Sequence, residues 1–475
     1  MISRRQILFL GMAAFAEAYS GVAISDEEAW DVIVVGSGMA GFCAALSAKE
    51  EGAERVLMLE KGPLIGGHTL FSSGTIAAVV SEDSNFNGPY SDSAELFVQD
   101  ALKTGGKKGD PDILRRLAEE SSYGLDWLRT KGIVFGDSFQ ARAGLRKRSF
   151  TMLGNSAGRS YVMLLNHDRL EKNIPLNLRN EVVGLSLFSK GWALEVSTPF
   201  GRKIIKTRSV IFATGGSTAD IARRRLFDPR LDENFQTSAN PWGRNWDGAQ
   251  GDALRIAERL GWAVTSGNGY QIVPFWGGRL LDYAGGDIYV NVEGRRFVDE
   301  NRPWHEVTKI LLDKKNPEFF VITDSQSRKG ATLGVKLLSK IIMKSDSVEE
   351  MALAMRISPV NLKQTLTEYN KFVENGLDQN FGKRFFAQKI NRAPYYWGRE
   401  KLHIHTSLDG VKTDCDAQVL DKDGKRVDGV FAAGEVVGGI FGKDRLGGAA
   451  LTNCLVMGRA AGTNAARFAL GRKDG

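Results

Sequence analysis

A glycine-rich segment near the start of the chain has the residue types and spacing needed to bind a phosphate group. It reads Gly36-Ser37-Gly38-Met39-Ala40-Gly41. Glycine permits a tight turn and lets backbone N–H groups approach an anion closely, and the N-terminus of a following helix adds a favourable dipole. The expected chemistry is binding of the pyrophosphate of a dinucleotide. Because this spacing is weak evidence alone, the elements around it decide its interpretation.

The elements predicted on both sides of this segment are those of a nucleotide-binding βαβ unit. Residues 31–35 are a short β-branched run that predicts a buried strand, and residues 42–52 predict a helix. A second strand is predicted at residues 56–59 and ends at Glu60. A carboxylate at about this distance from the glycines accepts hydrogen bonds from ribose hydroxyls. The pattern favours a dinucleotide site but does not distinguish NAD from FAD.

Further motifs along the chain resemble those of one flavoprotein family. Residues 210–216 and 429–435 predict two more strands that end in small residues and a glycine. Other matching segments are 60–67 (EKGPLIGG), 109–111, 126–128, 251–253, 294–300 (GRRFVDE), 405–406 (HT) and 445–448 (RLGG). Together they resemble the fumarate reductases, succinate dehydrogenases, urocanate reductase and Δ1-dehydrogenases of 3-ketosteroids. The resemblance covers nearly the whole chain after residue 28 and implies FAD as the cofactor.

The resemblance also implies the fold and the cofactor contacts. The expected class is α/β, with a Rossmann-type FAD-binding domain formed by residues 29–267 and 405–475 and an α+β capping domain inserted at residues 268–404. The residues that the resemblance places near FAD are Gly36, Gly38, Met39, Ala40, Gly41, Glu60, Lys61, Gly66, Gly67, His68, Thr69, Ser73, Gly74, Val182, Ala213, Thr214, Gly215, Gly216, Asp252, Gly434, Glu435, Ala450 and Leu451.

His68 leaves two interpretations open. Soluble fumarate reductases commonly have an Asn at this place, whereas membrane-bound succinate dehydrogenases have a His-Thr pair that is bonded covalently to the flavin. The spacing from His68 to Gly74 matches the second pattern. His68 is therefore either a ligand that hydrogen-bonds a non-covalent FAD or the site of a covalent linkage.

The resemblance implies reduction of a carbon–carbon double bond next to a carboxylate. Such a reaction needs a hydride from flavin N5 to the β-carbon, donors for the charge that develops on the carboxylate, and a proton for the α-carbon. Arg445 matches the family arginine that binds the carboxylate, and a planar guanidinium suits that bidentate contact. His405 matches the second carboxylate-binding residue.

The proton donor does not follow the family pattern. Fumarate reductases have an arginine four residues after the Glu of the RFVxE run and ketosteroid dehydrogenases have a tyrosine, but this chain has Trp304. An indole N–H is not a useful acid. His305, Arg302 and Tyr270 are the alternatives, and His305 has the residue type best suited to acid–base work at neutral pH.

A second departure concerns the substrate. The family's Q-x-H-P motif is Gln271-Ile272-Val273-Pro274 here, so Val273 replaces a histidine that binds a second carboxylate. The segment after it is shorter than in fumarate reductases and has no match to the family's Glu and Arg proton relay. Aromatic side chains are therefore expected at the substrate, and the expected substrate contacts are Tyr270, Trp276, Tyr283, Trp304 and Gly448.

Composition narrows the function classes further. With 475 residues, 43% of them hydrophobic and 25% charged, the chain is globular and not disordered. Three cysteines without a CxxC or CxxCH motif exclude a disulfide framework, a cysteine-based zinc site and c-type haem attachment within this chain, and no metal site is expected. A separate redox partner such as a cytochrome c is therefore expected. The net charge of +7 is spread along the chain, so nucleic acid is not an expected partner.

The first 28 residues have the features of an export signal. Ser3-Arg4-Arg5 precedes an apolar run at residues 7–16 and then small residues, and that run is too short to span a bilayer. The paired arginines resemble the twin-arginine signal of proteins that fold around a cofactor before export, with an ordinary secretory signal or an uncleaved anchor as the alternatives. The prediction is a periplasmic protein with no integral membrane span after signal removal.

The sequence thus predicts an exported FAD enzyme that reduces an α,β-unsaturated carboxylate other than fumarate, with a bulkier or aromatic β-substituent. Two alternatives remain. One is a dehydrogenase that desaturates a steroid-like or tricarboxylate substrate, because direction depends on flavin potential. The other is a flavin electron-transfer protein without turnover of its own.

Overall fold

The computed structural model describes residues 29–80, 92–154, 157–244, 246–274, 280–281, 283–313, 318–329 and 333–472. The predicted export signal and Trp276 lie outside these residues. Within the described part of the chain, no helix is long and apolar enough to cross a membrane.

Strands and helices alternate through most of the described chain. The strands are β1 (Trp30–Val35), β2 (Val56–Leu59), β3 (Ile76–Ala77), β4 (Phe139–Gln140), β5 (Lys147–Phe150), β6 (Leu176–Asn177), β7 (Glu181–Phe188), β8 (Gly191–Thr198), β9 (Gly201–Phe212), β10 (Tyr270–Pro274), β11 (Ile288–Val290), β12 (Phe319–Thr323), β13 (Met343–Ser345), β14 (Tyr395–Glu400), β15 (Leu402–Ser407), β16 (Gln418–Leu420) and β17 (Arg426–Ala432). The α-helices are α1 (Met39–Glu50), α2 (Ala94–Thr104), α3 (Pro111–Thr130), α4 (Arg159–Glu171), α5 (Ile221–Phe227), α6 (Asp252–Leu260), α7 (Trp304–Leu312), α8 (Leu333–Leu338), α9 (Val348–Met355), α10 (Pro359–Asn375) and α11 (Ala449–Ala469). Two short 3₁₀ helices are Gly67–Phe71 and Gly434–Val436.

A mostly parallel sheet forms the centre of the larger part of the molecule. Its strand order is β16-β17-β9-β1-β2-β6, and only β16 runs antiparallel to its neighbour in this row. Strand β9 also pairs along its first half with β8, and β8 pairs in turn with β7; both pairings are antiparallel. The strands predicted at residues 31–35 and 56–59 are confirmed as β1 and β2. Their Val, Ile, Leu and Met side chains are buried on both faces, as expected for central parallel strands.

Helices α1 and α11 pack closely because glycine and alanine meet at their contact. A Cβ built on Gly462 would stand 2.1 Å from the carbonyl oxygen of Ala44, and one on Gly458 would stand 2.8 Å from that of Ala40. No larger residue fits at such a close approach. This packing joins the first βαβ unit to the C-terminal helix, so residues far apart in sequence meet above the carboxyl ends of the parallel strands.

A second sheet, with the antiparallel order β11-β12-β14-β13, forms the centre of the predicted capping region. Alternate residues of its strands point to opposite faces. Ile288, Val290 and Ile322 pack against α9 and α10 on one face, whereas Tyr289 and Val321 belong to a cluster with α7 on the other. This region therefore has a core of its own.

Buried charges anchor the chain just before α7. The Glu300 carboxylate, which is fully buried, accepts hydrogen bonds from Arg296 at 2.7 Å and Lys383 at 2.8 Å. Burial alone would raise the pKa of Glu300, but these two cations lower it to about 2. The GRRFVDE motif thus fixes the backbone immediately before Trp304 and His305.

A two-stranded antiparallel ribbon of β10 and β15 packs into the apolar cluster that contains Tyr289 and Val321 of the second sheet. Helix α7 packs on it, with the Thr308 hydroxyl donating to the carbonyl of Ile272 at 2.8 Å. The predicted boundary between residues 404 and 405 falls inside β15. The division into domains by residue number stays a prediction.

Candidate active site

The three glycines of the 36–41 segment are needed for different steric reasons. Gly36 has φ +109°, and a Cβ there would stand 2.2 Å from the carbonyl oxygen of Ala213, which directly follows β9. A Cβ on Gly41 would stand 2.1 Å from the Gly36 carbonyl oxygen. Gly38, at the N-cap of α1, is different, because its nearest neighbour would be Thr69 Oγ1 at 3.6 Å. Gly36 and Gly41 serve the turn and the packing, whereas Gly38 leaves open space beside the helix N-terminus.

The Glu60 carboxylate is held by hydrogen bonds next to the glycine turn. It accepts hydrogen bonds from Ser37 N at 3.0 Å, Ser37 Oγ at 2.6 Å and Gly62 N at 2.6 Å. Lys61 next to it forms an ion pair with Asp252 at the start of α6. The acidic residue therefore lies beside the glycine turn, as the sequence predicted.

A cavity of about 920 Å³ runs from Glu60 to Arg445. The predicted cofactor residues that line it are Gly36, Gly38, Ala40, Glu60, Lys61, Gly67, His68, Thr69, Ser73, Gly74, Val182, Ala213, Thr214, Gly215, Asp252, Glu435, Ala450 and Leu451. Met39, Gly41, Gly66, Gly216 and Gly434 are not among its lining residues. The structure thus gathers most of the predicted positions around one space, and their contacts with FAD stay predictions.

His68 lies between two carboxylates in the middle of the cavity. Its Nε2–H donates to Asp247 Oδ1 at 2.7 Å, and its Nδ1 lies 4.0 Å from Glu435 Oε2. Burial by itself lowers the pKa of His68, but the hydrogen bond and charge of Asp247 and the charge of Glu435 raise it to about 9. His68 is therefore a cation at neutral pH, held in one orientation.

Glu435 is held by the β15 strand. Its Oε1 accepts from Ser407 N and Ser407 Oγ, both at 2.9 Å. A Cβ on Gly216 would stand 1.7 Å from Ser407 Oγ, so this glycine allows the close approach of the two segments. Glu435 consequently keeps its other oxygen towards His68.

Arg445 and His405 meet at the far end of the cavity. Arg445 is 8% exposed, and its Nη2 donates to Thr406 Oγ1 at 3.3 Å. The His405 Nδ1 is hydrogen-bonded to Ser238 Oγ at 2.7 Å. The cavity wall includes both residues, together with Gly448. Two donors suited to an anion therefore line one end of the space.

The wall near Arg445 also contains Val273 and Trp304. The Trp304 ring makes a cation–π contact with Arg142, whose guanidinium carbon lies 4.7 Å from the ring centroid. Arg142 is itself buried and donates to both carboxylate oxygens of Asp287 at 3.0 and 3.1 Å. The wall is thus apolar and rigid at the two positions where the sequence departs from the family pattern.

The candidate proton donors are not equivalent. Arg302 has a side chain 45% exposed and pairs with Glu306 at 3.3 Å, on the surface. His305 donates from its backbone N at 2.9 Å and from Nδ1 at 3.3 Å to Asp444 Oδ2. The hydroxyl of Tyr270 is hydrogen-bonded to Ser217 Oγ at 3.1 Å. Of the candidates, His305 alone contacts the loop that contains Arg445.

The aromatic wall is smaller than predicted. Among the described residues, the cavity lining includes Trp304 but neither Tyr270 nor Tyr283. The Tyr283 hydroxyl donates instead to Gln388 at 3.0 Å. Trp276 lies outside the described residues, and its contact with the substrate stays a prediction.

Sequence reasoning did not single out the residues that hold the site's histidines. Asp247 orients His68, Ser238 orients His405, and Asp444 orients His305. Each partner lies in a loop and outside any motif that the sequence analysis used, except Asp444, which directly precedes Arg445. The position of Asp444 next to Arg445 is the one sequence signal that could have identified any of these three partners.

The cavity fits a flavin dinucleotide. Its volume is near the upper end of the usual range for ligand sites. Gly67 and Gly215 both have positive φ, and a Cβ at either would meet no atom within 4 Å. Such open glycines on a cavity wall allow an extended cofactor to approach the backbone.

Comparisons with known proteins agree with this geometry. A family profile described as FAD binding domain matches residues 31–451. The chain is 32% identical to a probable fumarate reductase of Shewanella frigidimarina, over 94% of this chain and 77% of the relative. It is 29% identical to a urocanate reductase of Eggerthella lenta, over 92% of this chain and 75% of the relative. The structure of an open conformation of a flavocytochrome c3 fumarate reductase matches with a TM-score of 0.73 and 29% identity, over 99% of this chain and 82% of that one.

These matches confirm the predicted fold class, with its FAD-binding domain and capping domain, and FAD as the cofactor. They also confirm the predicted reaction class, an oxidoreductase acting on carbon–carbon double bonds. The chain therefore belongs to the FAD-dependent flavoprotein family of the fumarate reductases.

Proposed function

We propose that this enzyme reduces the carbon–carbon double bond of an α,β-unsaturated acid with a single carboxylate and an apolar or aromatic β-substituent. The main supporting observation is the far end of the cavity, where Arg445 and His405 lie on the same wall as Val273 and Trp304. Bound FAD would supply the hydride. The family relation supports the reduction of an unsaturated bond, and these four residues support the narrower substrate class.

Arg445 and His405 would bind the substrate carboxylate. A guanidinium offers two parallel N–H donors, and charge-assisted hydrogen bonds of this kind are about twice as strong as neutral ones. Both side chains are held in place, Arg445 by Thr406 and His405 by Ser238. Negative charge that develops towards the carboxylate during hydride addition would therefore meet preorganised donors.

Val273 and Trp304 would contact the β-substituent. Val273 is 4% exposed and Trp304 is 9% exposed, so each adds apolar surface to the wall and no cation. A second carboxylate placed against these two side chains would lose its water and gain no partner from either of them, which costs several kcal/mol for an ion. An aryl or alkyl group would instead gain from burial.

Purified, FAD-loaded enzyme would be tested without oxygen for oxidation of reduced methyl viologen in the presence of fumarate, acrylate, crotonate, urocanate or cinnamate. We expect turnover with an alkyl or aryl acrylate and at least tenfold less with fumarate, since about 1.4 kcal/mol of lost binding is tenfold. Fumarate is the internal control, because it has the same double bond and a second carboxylate. Faster turnover with fumarate would contradict the proposed substrate class.

The dehydrogenase alternative has one supporting observation, the apolar wall at Trp304. If no acid in the panel oxidises reduced viologen, the same enzyme would be tested with a 3-ketosteroid and an artificial electron acceptor. Reduction of the acceptor would then favour desaturation. Failure of both assays would favour the electron-transfer alternative.

The electron donor and the location are also proposals. No haem-attachment motif occurs in the sequence, and one matched structure is a flavocytochrome. We therefore expect a separate cytochrome c to reduce the enzyme in the periplasm after export by residues 1–28. Reoxidation of a reduced cytochrome that depends on both enzyme and substrate would support this.

The flavin is expected to be non-covalent. The His68 Nε2–H donates to Asp247, and the carboxylates of Asp247 and Glu435 raise the pKa of His68, which favours the protonated ring over the neutral nucleophile that a covalent bond to the flavin needs. Acid precipitation of the holoenzyme should give a yellow supernatant and a colourless pellet. His68→Gln, precipitated in parallel, is the control. A yellow pellet from the natural enzyme that is lost in H68Q would show a covalent link.

A further inference from the structure

Reduction of the double bond needs a proton source in addition to the hydride. When the double bond receives a hydride at the β-carbon, the α-carbon must also receive a proton. Trp304 occupies the position where the family pattern has an arginine or tyrosine, and an indole N–H does not perform this task. A proton source close to Trp304 and Arg445 is therefore required.

We propose that His305 and Asp444 form the proton-delivering pair of this enzyme, with Asp444 as the positioning residue. The proposal rests on the proposed function, because it assigns the proton step of that reaction. His305 would hold the proton, pass it towards the α-carbon through one water, and regain it from solvent.

The geometry of the pair supports this assignment. Asp444 is fully buried, and its Oδ2 accepts both the backbone N–H and the Nδ1–H of His305. Its Oδ1 accepts from Arg445 N at 2.8 Å and from the side-chain amide of Gln271. The carboxylate therefore fixes the tautomer of His305 with the proton on Nδ1 and leaves Nε2 to exchange protons.

The location of the pair supports it too. Trp304 is the chain neighbour of His305, Arg445 is the chain neighbour of Asp444, and Gln271 is bonded to Asp444; all three line the cavity. The His305 side chain is 34% exposed. His305 itself is not among the lining residues; its Nδ1–H joins it to Asp444 next to this part of the wall, and its side chain is open to solvent.

The hydride and the proton from His305 together account for all atoms and electrons in the reduction of the double bond. A C–H bond forms at the β-carbon with the electron pair of the hydride, and the π bond breaks. A second C–H bond forms at the α-carbon as an N–H bond of the His305 imidazolium breaks. Neutral His305 then takes a proton from water, and the saturated acid leaves as its carboxylate.

A purely structural role is the competing explanation. Asp444 also caps the N-terminus of α7 through its hydrogen bond with the His305 backbone N–H, and such caps stabilise helices. His305→Gln separates the two roles, because it keeps the backbone bond and removes the acid. Asp444→Asn keeps a carbonyl acceptor and removes the charge.

The test follows the oxidative half-reaction alone. FAD-loaded enzyme is reduced with dithionite and mixed with cinnamate or acrylate, whichever the natural enzyme turns over faster, and flavin reoxidation is recorded by stopped flow. We expect H305Q to reoxidise at least about 100-fold more slowly, with partial rescue by added imidazole, and D444N to be slowed less. Reduction by dithionite and the thermal unfolding temperature of H305Q should stay unchanged.

Lys309→Gln, an exposed change on the same helix, is the matched control and should behave like the natural enzyme. Arg302→Gln examines the surface alternative. If H305Q reoxidises as fast as the natural enzyme, or if R302Q is slowed instead of H305Q, the assignment of the proton pair is wrong while the proposed function stays intact. If no unsaturated acid reoxidises the natural enzyme, the proposed function fails and the proton pair with it.

Discussion

Replacing Arg445 by Met should lower kcat/KM for the unsaturated acid by at least about 100-fold without loss of bound FAD. The guanidinium is 8% exposed at the end of the cavity, where its charge meets little water. Removing one partner from such a buried charged contact costs about 2–5 kcal/mol, which corresponds to a fall of this size or larger. The measurement is steady-state viologen oxidation, together with flavin content from absorbance.

Lys443→Met is the matched control for this variant. Lys443 lies in the same loop but is exposed, so its loss should change kcat/KM by less than about threefold. If R445M had the same kcat/KM as the natural enzyme, Arg445 would not be the residue that binds the substrate carboxylate.

The second large effect is expected at Gly38. Ala at Gly38 should leave the apoprotein as stable as the natural one and weaken FAD binding by at least about tenfold. Its φ of −71° and ψ of −179° suit any residue, and the nearest atom to a Cβ is 3.6 Å away, so the folded chain tolerates the methyl group. The methyl group would instead occupy space beside the N-terminus of α1, where a pyrophosphate would bind.

Gly41→Ala is the contrasting variant. Its Cβ would stand 2.1 Å from the Gly36 carbonyl oxygen, so we expect the free energy of unfolding to fall by about 1–3 kcal/mol even without FAD. Urea unfolding of both apoproteins and FAD titration followed by flavin fluorescence measure the two effects. Tight FAD binding by G38A would remove Gly38 from the cofactor site.

The first βαβ unit could be read from the sequence because its information is local. Strand β1, the glycine turn, helix α1, strand β2 and Glu60 follow one another within residues 30–60. Buried parallel strands have apolar, β-branched sequences, and a turn against a helix N-terminus needs glycine. Both requirements act on neighbouring residues, so residue type and spacing were sufficient.

The choice among the proton-donor candidates could not be read in this way. Arg302 and His305 are three positions apart, and residue type allowed either. The structure points Arg302 to the surface, where it pairs with Glu306, and brings His305 to Asp444, 139 positions away. This difference follows from the start of α7 and its packing on the β10–β15 ribbon, which are set by the buried Glu300 cluster and by Thr308.

The sequence by itself determined the nucleotide-binding unit, the family and the apolar substitutions at Val273 and Trp304. The tertiary structure decided the partners of the site's histidines: Asp247 for His68, 179 positions away, and Ser238 for His405, 167 positions away. Contacts this distant depend on how the two sheets and their loops pack. Since many loop residues could meet a given histidine, no local spacing specifies which one does.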